Sequence, residues 1–159
     1  MAIGNAGLNP ENTEWKWTMR FLLQVRANRD SEAGVLPGRE LIEVMFKFNQ
    51  EMAEAGVMLA AEGLQASAKG ARISYAGDQR KVVDGPFNPD ELIAGFWMIN
   101  VGSTGEAIEW AKRAPFREGV VEVRQIFEME DFGPALTPEM QQAEDRMRAQ
   151  LAAKNSSAS

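Results

Sequence analysis

A chain of 159 residues, 45% of them hydrophobic, is long enough for one domain with a sizeable core and too apolar to be a disordered segment. Its 23 acidic and 17 basic residues leave a net charge of −6 with no basic run, which argues against nucleic acid as a partner, because that affinity rests on clustered lysine and arginine. There is no cysteine and no histidine, so disulfides, thiolate metal sites, cysteine nucleophiles, histidine triads and histidine pH switches are excluded, and any acid–base chemistry falls to Asp, Glu, Lys or Tyr75 with arginine as an electrostatic helper.

Residues 1–14 are polar and rich in Gly, Asn and Pro, and read as a flexible arm. They lack the basic and apolar regions of a signal peptide. The longest apolar stretch, Leu92–Val101, is broken by Asn100 and too short for a bilayer, so a cytoplasmic location without a membrane partner is expected. From Lys16 to Arg26 the chain alternates: Trp17, Met19, Phe21, Leu23 and Val25 fall on one face, and Lys16, Thr18, Arg20, Leu22, Gln24 and Arg26 on the other. Period two over that length predicts a strand.

A loop over 28–37 precedes a helix over Gly38–Ala55, whose apolar side carries Leu41, Val44, Met45, Phe48, Met52 and Ala55, with Gly56 as the glycine just past its end. Val57–Leu64 reads as a buried strand, and 71–75 with 80–83 as a hairpin about Ala76-Gly77-Asp78-Gln79. Glu91–Val101 is the predicted central strand, with Gly95 permitting a close backbone approach. Ser103 and Glu106 have capping-box spacing ahead of a helix that stops before Pro115, and Gly119–Phe127 alternates again as the last strand. Thr137-Pro138-Glu139 opens a further helix reaching about Lys154, with a narrow stripe of Met140, Ala143, Met147 and Leu151 that marks a surface or partner-contacting helix, and then a tail over 155–159.

This order, β-α-β, a hairpin, then β-α-β, predicts an α+β ferredoxin-like sandwich with an extra β-hairpin and a C-terminal helix, the domain proper spanning 15–133. Two helices cover only one sheet face; the other needs a partner. The centre of the pattern is Lys81–Trp97, KVVDGPFNPDELIAGFW. There Gly85 is pushed toward extended backbone by the proline that follows, and Pro86 fixes its own φ and offers no N–H.

With that order in place the chain resembles the YCII-related domain family, in the subgroup named for its Asp-Gly-Pro-Phe motif. The matching pieces are MRFLLQV (19–25), AGVMLAAEGLQAS (55–67), KGARIS (69–74), VVDGPF (82–87), ELIAGFWMINV (91–101), EAIEWAKRAP (106–115) and VEVRQIFEMEDFG (121–133). The resemblance implies a homodimeric α/β barrel, in which two protomers pack their uncovered sheet faces and leave a cleft between strands and helices or loops. It also implies lyase-like or dehalogenating chemistry for part of the superfamily, and for some members a place beside, or fused to, sigma-factor-like proteins. Related members carry a His–Asp pair proposed as catalytic; those similar to this chain often have His where Gln65 stands, so a histidine-dependent mechanism does not carry over.

Two carboxylates are the candidate catalytic groups. Asp84, at the rigid corner beside Phe87, is a functional acid or a turn residue bonding its own backbone. Glu62, near the end of an apolar strand, faces a cavity, where desolvation would raise its pKa, or is paired with Arg20 or Arg124. Arg20, Gln24, Glu122 and Arg124 are placed to converge on one wet sheet face, as a substrate-binding set or a solvated or dimer-facing salt network. Gln65 and Arg72 are candidate hydrogen-bond donors to an anionic or carbonyl substrate, and Trp97 either walls a pocket or fills the dimer core. No phosphate loop or calcium loop is present, and neither cofactor nor metal is expected. Two functions stay open: a cofactor-independent enzyme moving a proton on an apolar, aromatic or carbonyl substrate (lyase, isomerase or hydrolase), and a non-catalytic ligand-binding or regulatory dimeric module.

Overall fold

The computed structural model describes residues 6–7 and 16–158, with side chains from Thr18 onward. The short strands β1 (Ala6–Gly7) and β2 (Lys16–Trp17) pair antiparallel, Ala6 opposite Trp17. The rest of the expected N-terminal arm and the Trp17 side chain lie outside the described residues. The single strand expected from Lys16 breaks at Thr18, and β3 runs Met19–Arg26. Within the predicted loop sits a one-turn helix, α1 (Arg29–Glu32), closed by Asn28: the Ser31 N–H donates to Asn28 Oδ1 at 2.9 Å and the Asn28 N–H to Ser31 Oγ at 2.9 Å. Four residues are too few for periodicity to reveal.

Helix α2 (Arg39–Glu54) turns Phe48 and Met52 inward. It ends in a Schellman motif, with the Val57 N–H on the Met52 carbonyl and the Gly56 N–H on the Ala53 carbonyl, each at 3.0 Å. Val44 and Ala55, counted from spacing as apolar-side residues, are exposed. After β4 (Met58–Gly63) and a 3₁₀ turn at Ser67–Lys69 come β5 (Ala71–Ala76) and β6 (Gln79–Asp84), a hairpin whose residues are all exposed. A second 3₁₀ turn, Pro89–Glu91, takes the start of the predicted central strand, which forms as β7 (Ile93–Val101).

Helix α3 (Thr104–Lys112) is capped by Ser103, whose Oγ accepts the Glu106 N–H at 3.1 Å; the Glu106 carboxylate reaches back to the Gly102 N–H at 2.9 Å, one residue short of the Ser103 N–H that a capping box would use. Strand β8 (Val121–Gln125) is shorter than its alternating pattern. A 3₁₀ segment, Met129–Ala135, leads to α4 (Pro138–Ser157), whose first turn is closed by Thr137 Oγ1 accepting the Met140 N–H at 3.2 Å. Helix α4 continues past the predicted end and buries no side chain; Met140, Met147 and Leu151 are exposed.

The four-stranded sheet is antiparallel in the order β4-β7-β3-β8, the ferredoxin-like arrangement, with β5–β6 as a separate ribbon. Phe21 and Leu23 of β3 and Trp97, Ile99 and Val101 of β7 point to the face that α2 and α3 cover, where they are buried with Phe48, Met52, Val57 and Ala107. Burial of these large apolar side chains, each stabilising by about 1.5–3 kcal/mol, makes this layer the core. At Gly95 a Cβ would stand 2.8 Å from the Glu62 carbonyl oxygen, so β4 and β7 approach there as closely as the sequence anticipates. The opposite sheet face receives neither α2 nor α3.

Candidate functional site

Strand β6 delivers Asp84 to the edge of the hairpin, opposite Ala71, and the chain then turns through Gly85-Pro86, whose peptide bond is cis. The Gly85 N–H donates to the Gly70 carbonyl at 3.0 Å. A Cβ on Gly85 would lie 1.9 Å from the Ser67 carbonyl oxygen, so this position requires glycine. Ser67 is the hub beneath the corner. Its Oγ accepts the Phe87 N–H at 2.9 Å and donates to the Glu32 carboxylate, and its own N–H reaches both Glu32 oxygens at 3.1 and 3.2 Å. Thus α1, the 3₁₀ turn and the Asp-Gly-Pro-Phe corner are tied into one unit. Neither Glu32 nor Ser67 was singled out from sequence; their contacts span 35 and 20 positions and leave no local signal.

Beside this latch is a cleft of about 220 Å³, lined by Leu64, Gln65, Arg72, Phe87, Leu92 and Ile93 among others. The Arg72 guanidinium lies over the Phe87 ring, 4.1 Å from its centroid, and its Nη1 meets Glu91 Oε2 at 3.0 Å. Gln65 Oε1 accepts from Lys69 Nζ. Two candidate binding residues, Gln65 and Arg72, therefore share one cleft. Asp84 is exposed and does not line it, although its strand partner Ala71 does. Among the described residues the Asp84 side chain makes no hydrogen bond or ion pair, so the expected turn bond to its own backbone is not made.

The second group lies on the helix-free sheet face. Register sets Glu62, Phe96, Gln24 and Glu122 in one row across the four strands, and Ala60, Met98, Leu22 and Arg124 in the next; Arg20 pairs with Asn100 beyond them. Arg20, Gln24, Glu122 and Arg124 do share one face, as their alternation requires. Arg20 binds Glu128 through two bonds, Nε to Oε1 at 2.8 Å and Nη2 to Oε2 at 3.1 Å, and Arg124 meets Glu122 at 3.4 Å. Glu62 is exposed and pairs with neither arginine. Both arginines have nearer acids, on β8 and just after it, which local pattern could not rank.

Trp97 belongs to neither group. It is buried on the helix-covered face, edge-on to Phe48 with ring centroids 5.5 Å apart, and its Nε1–H donates to Asn49 Oδ1 at 2.7 Å. The sequence reading as pocket wall or dimer core is corrected here: odd-numbered positions of β7 face the helices. A wider cleft of about 460 Å³, at the β3 end, is lined by Arg26, Asn28, Asp90, Val120 and Glu122 among others. Among the described residues no group of His, Cys, Asp or Glu could hold a metal ion, and no helix is long and apolar enough to cross a membrane.

The four-stranded antiparallel sheet, its one-sided helices and the added hairpin define an α+β protein of ferredoxin-like build. The YCII-related domain model matches residues 19–130, and the chain belongs to that family. No curated protein matches the sequence significantly.

Proposed function

We propose that this YCII-domain protein, of the Asp-Gly-Pro-Phe subgroup, is a homodimer closed into an α/β barrel by two helix-free sheet faces. It binds a small molecule, without a cofactor, in the cleft beneath the Asp-Gly-Pro-Phe corner. The observation that carries the binding reading is the cleft itself, where Arg72 and Gln65 stand against an apolar lining of Leu64, Phe87, Leu92 and Ile93. A few placed polar groups in an apolar concavity is the usual make-up of a ligand site. Support for the homodimer comes from the sheet face, where apolar Leu22, Ala60, Phe96 and Met98 are flanked by Arg20, Gln24, Glu62, Glu122 and Arg124. An apolar centre with a polar rim is the anatomy of protein interfaces.

A second reading, favoured by the unbonded Asp84 carboxylate next to the cleft, is that the protein is an enzyme. Asp84, with Glu62 as the alternative group, then moves a proton on an apolar or carbonyl-containing ligand in a lyase, isomerase or hydrolase reaction.

One experiment addresses both readings: a thermal-shift screen of small organic molecules on wild type, Asp84→Asn and Glu62→Gln, with sedimentation at micromolar protein. A ligand class that stabilises all three supports the binding module. Turnover of that ligand by wild type but not by Asp84→Asn supports the enzyme. No stabilisation by any compound overturns the ligand site, and a monomer mass overturns the homodimer.

A further inference from the structure

We infer that the ligand of this cleft is a small monocarboxylate with an apolar body, that Arg72 is the residue selecting it, and that Glu91 is the counter-ion it displaces; this rests on the reading of the cleft as a ligand site. A guanidinium carries five N–H donors in a planar fork suited to a carboxylate. Among the described residues one nitrogen of Arg72, Nη1, is paired, with Glu91 at 3.0 Å, while the guanidinium carbon lies over the Phe87 ring, 4.1 Å from its centroid. Its other N–H groups have no hydrogen-bond or ion-pair partner among the described residues, so most of the fork is open at a residue that lines the cleft.

The Arg72–Glu91 pair is solvated, with side chains 44% and 58% exposed. Such pairs hold weakly, and a ligand carboxylate meeting the fork with both oxygens replaces Glu91 without leaving a buried charge behind. A second anionic group on the ligand is opposed by Glu32, which also lines the cleft. Its oxygens accept from Ser67, and among the described residues no cation pairs with it. Apart from the uncharged polar Gln65 and Ser67 the remaining side chains of the lining are apolar, and a volume of about 220 Å³ falls below that of pockets for drug-sized ligands. The ligand body is therefore about one ring or a short branched chain.

The test is an NMR titration of the ¹⁵N-labelled full chain with benzoate, and with benzyl alcohol as the uncharged analogue, on wild type, Arg72→Gln, Arg72→Lys and Glu91→Gln. Benzoate is expected to give saturable shifts at the amides of Gly70, Ala71, Phe87 and Ile93. Benzyl alcohol should bind at least about tenfold more weakly. Glu91→Gln should tighten benzoate by about two- to five-fold by removing the competitor, and Arg72→Gln should weaken it at least about tenfold. Arg72→Lys, which keeps the charge and loses the fork, should fall between them.

Equal binding of benzoate and benzyl alcohol, or an unaffected Arg72→Gln with a wild-type spectrum, overturns the carboxylate assignment and leaves the cleft standing as a ligand site. Unchanged or weaker binding to Glu91→Gln overturns the counter-ion role. Absence of shifts at the cleft amides with either compound overturns the site itself.

Discussion

Replacing Gly85 with alanine tests whether the Asp-Gly-Pro-Phe corner is held down on Ser67 as the geometry requires. The new methyl carbon would start 1.9 Å from the Ser67 carbonyl oxygen and 2.6 Å from the carbonyl carbon. Both are backbone atoms that cannot rotate away, so the corner or the 3₁₀ turn must move by more than an ångström. Overpacking of this kind costs about 1–3 kcal/mol. The movement also breaks the Gly85 N–H bond to Gly70 and the Phe87 N–H bond to Ser67 Oγ, each contributing about 0.5–1.5 kcal/mol.

A loss of about 2–6 kcal/mol follows, limited by the free energy of opening the corner alone. At about 2–4 °C per kcal/mol, the melting temperature should fall by about 4–24 °C if the corner unfolds with the domain. If it opens locally, the readout is faster amide exchange at Gly85 and Phe87. Gly70→Ala is the control, since its Cβ would meet Ser67 O at an ordinary 3.6 Å and should leave stability unchanged or slightly raised. A Gly85→Ala protein with wild-type melting and wild-type exchange at both amides would refute the reasoning.

Trp97→Phe removes the Nε1–H bond to Asn49 and should destabilise by about 2–3 kcal/mol in urea unfolding. Adding Asn49→Leu should restore part of that loss, because the stranded acceptor goes too; a further loss would show that the bond is not the source. Deleting residues 137–159 should shift the melting temperature by no more than about 2 °C while lowering helical circular dichroism, because α4 buries no side chain; a larger drop would place α4 against the domain.

Alternation and helical spacing carry information about which face of an element is apolar, and that much of the fold was legible. Phe21 and Leu23 of β3, Phe48 and Met52 of α2, the glycine-terminated end of α2 and the Ser103 cap all stand where the chain order places them. The boundaries slipped where a local contact competed with the pattern: at the Asn28-capped turn α1, and at Pro89–Glu91, where Asn88 Oδ1 takes the Asp90 N–H at 3.0 Å. The candidate site was legible as residue types and not as a constellation. Gln65 and Arg72 meet in one cleft, while Asp84 stands beside it and Glu62, Arg20, Gln24 and Arg124 occupy the sheet face.

Period and turn chemistry, both local, determined from the sequence alone that this is an α+β domain with a one-sided sheet, a hairpin and a rigid corner before the central strand. The absence of histidine and cysteine likewise limited its acid–base groups without any structure. Only the tertiary structure decided which partner each charged side chain takes, because Arg20 pairs with Glu128 across 108 positions and Glu32 accepts hydrogen bonds from Ser67 across 35. It also decided that Trp97 turns to the helices, since β7 pairs with β3 and β4 in one register and every side chain's face follows from it. Pairing across a sheet is set by the summed burial of all four strands, a quantity that no single stretch of the chain contains.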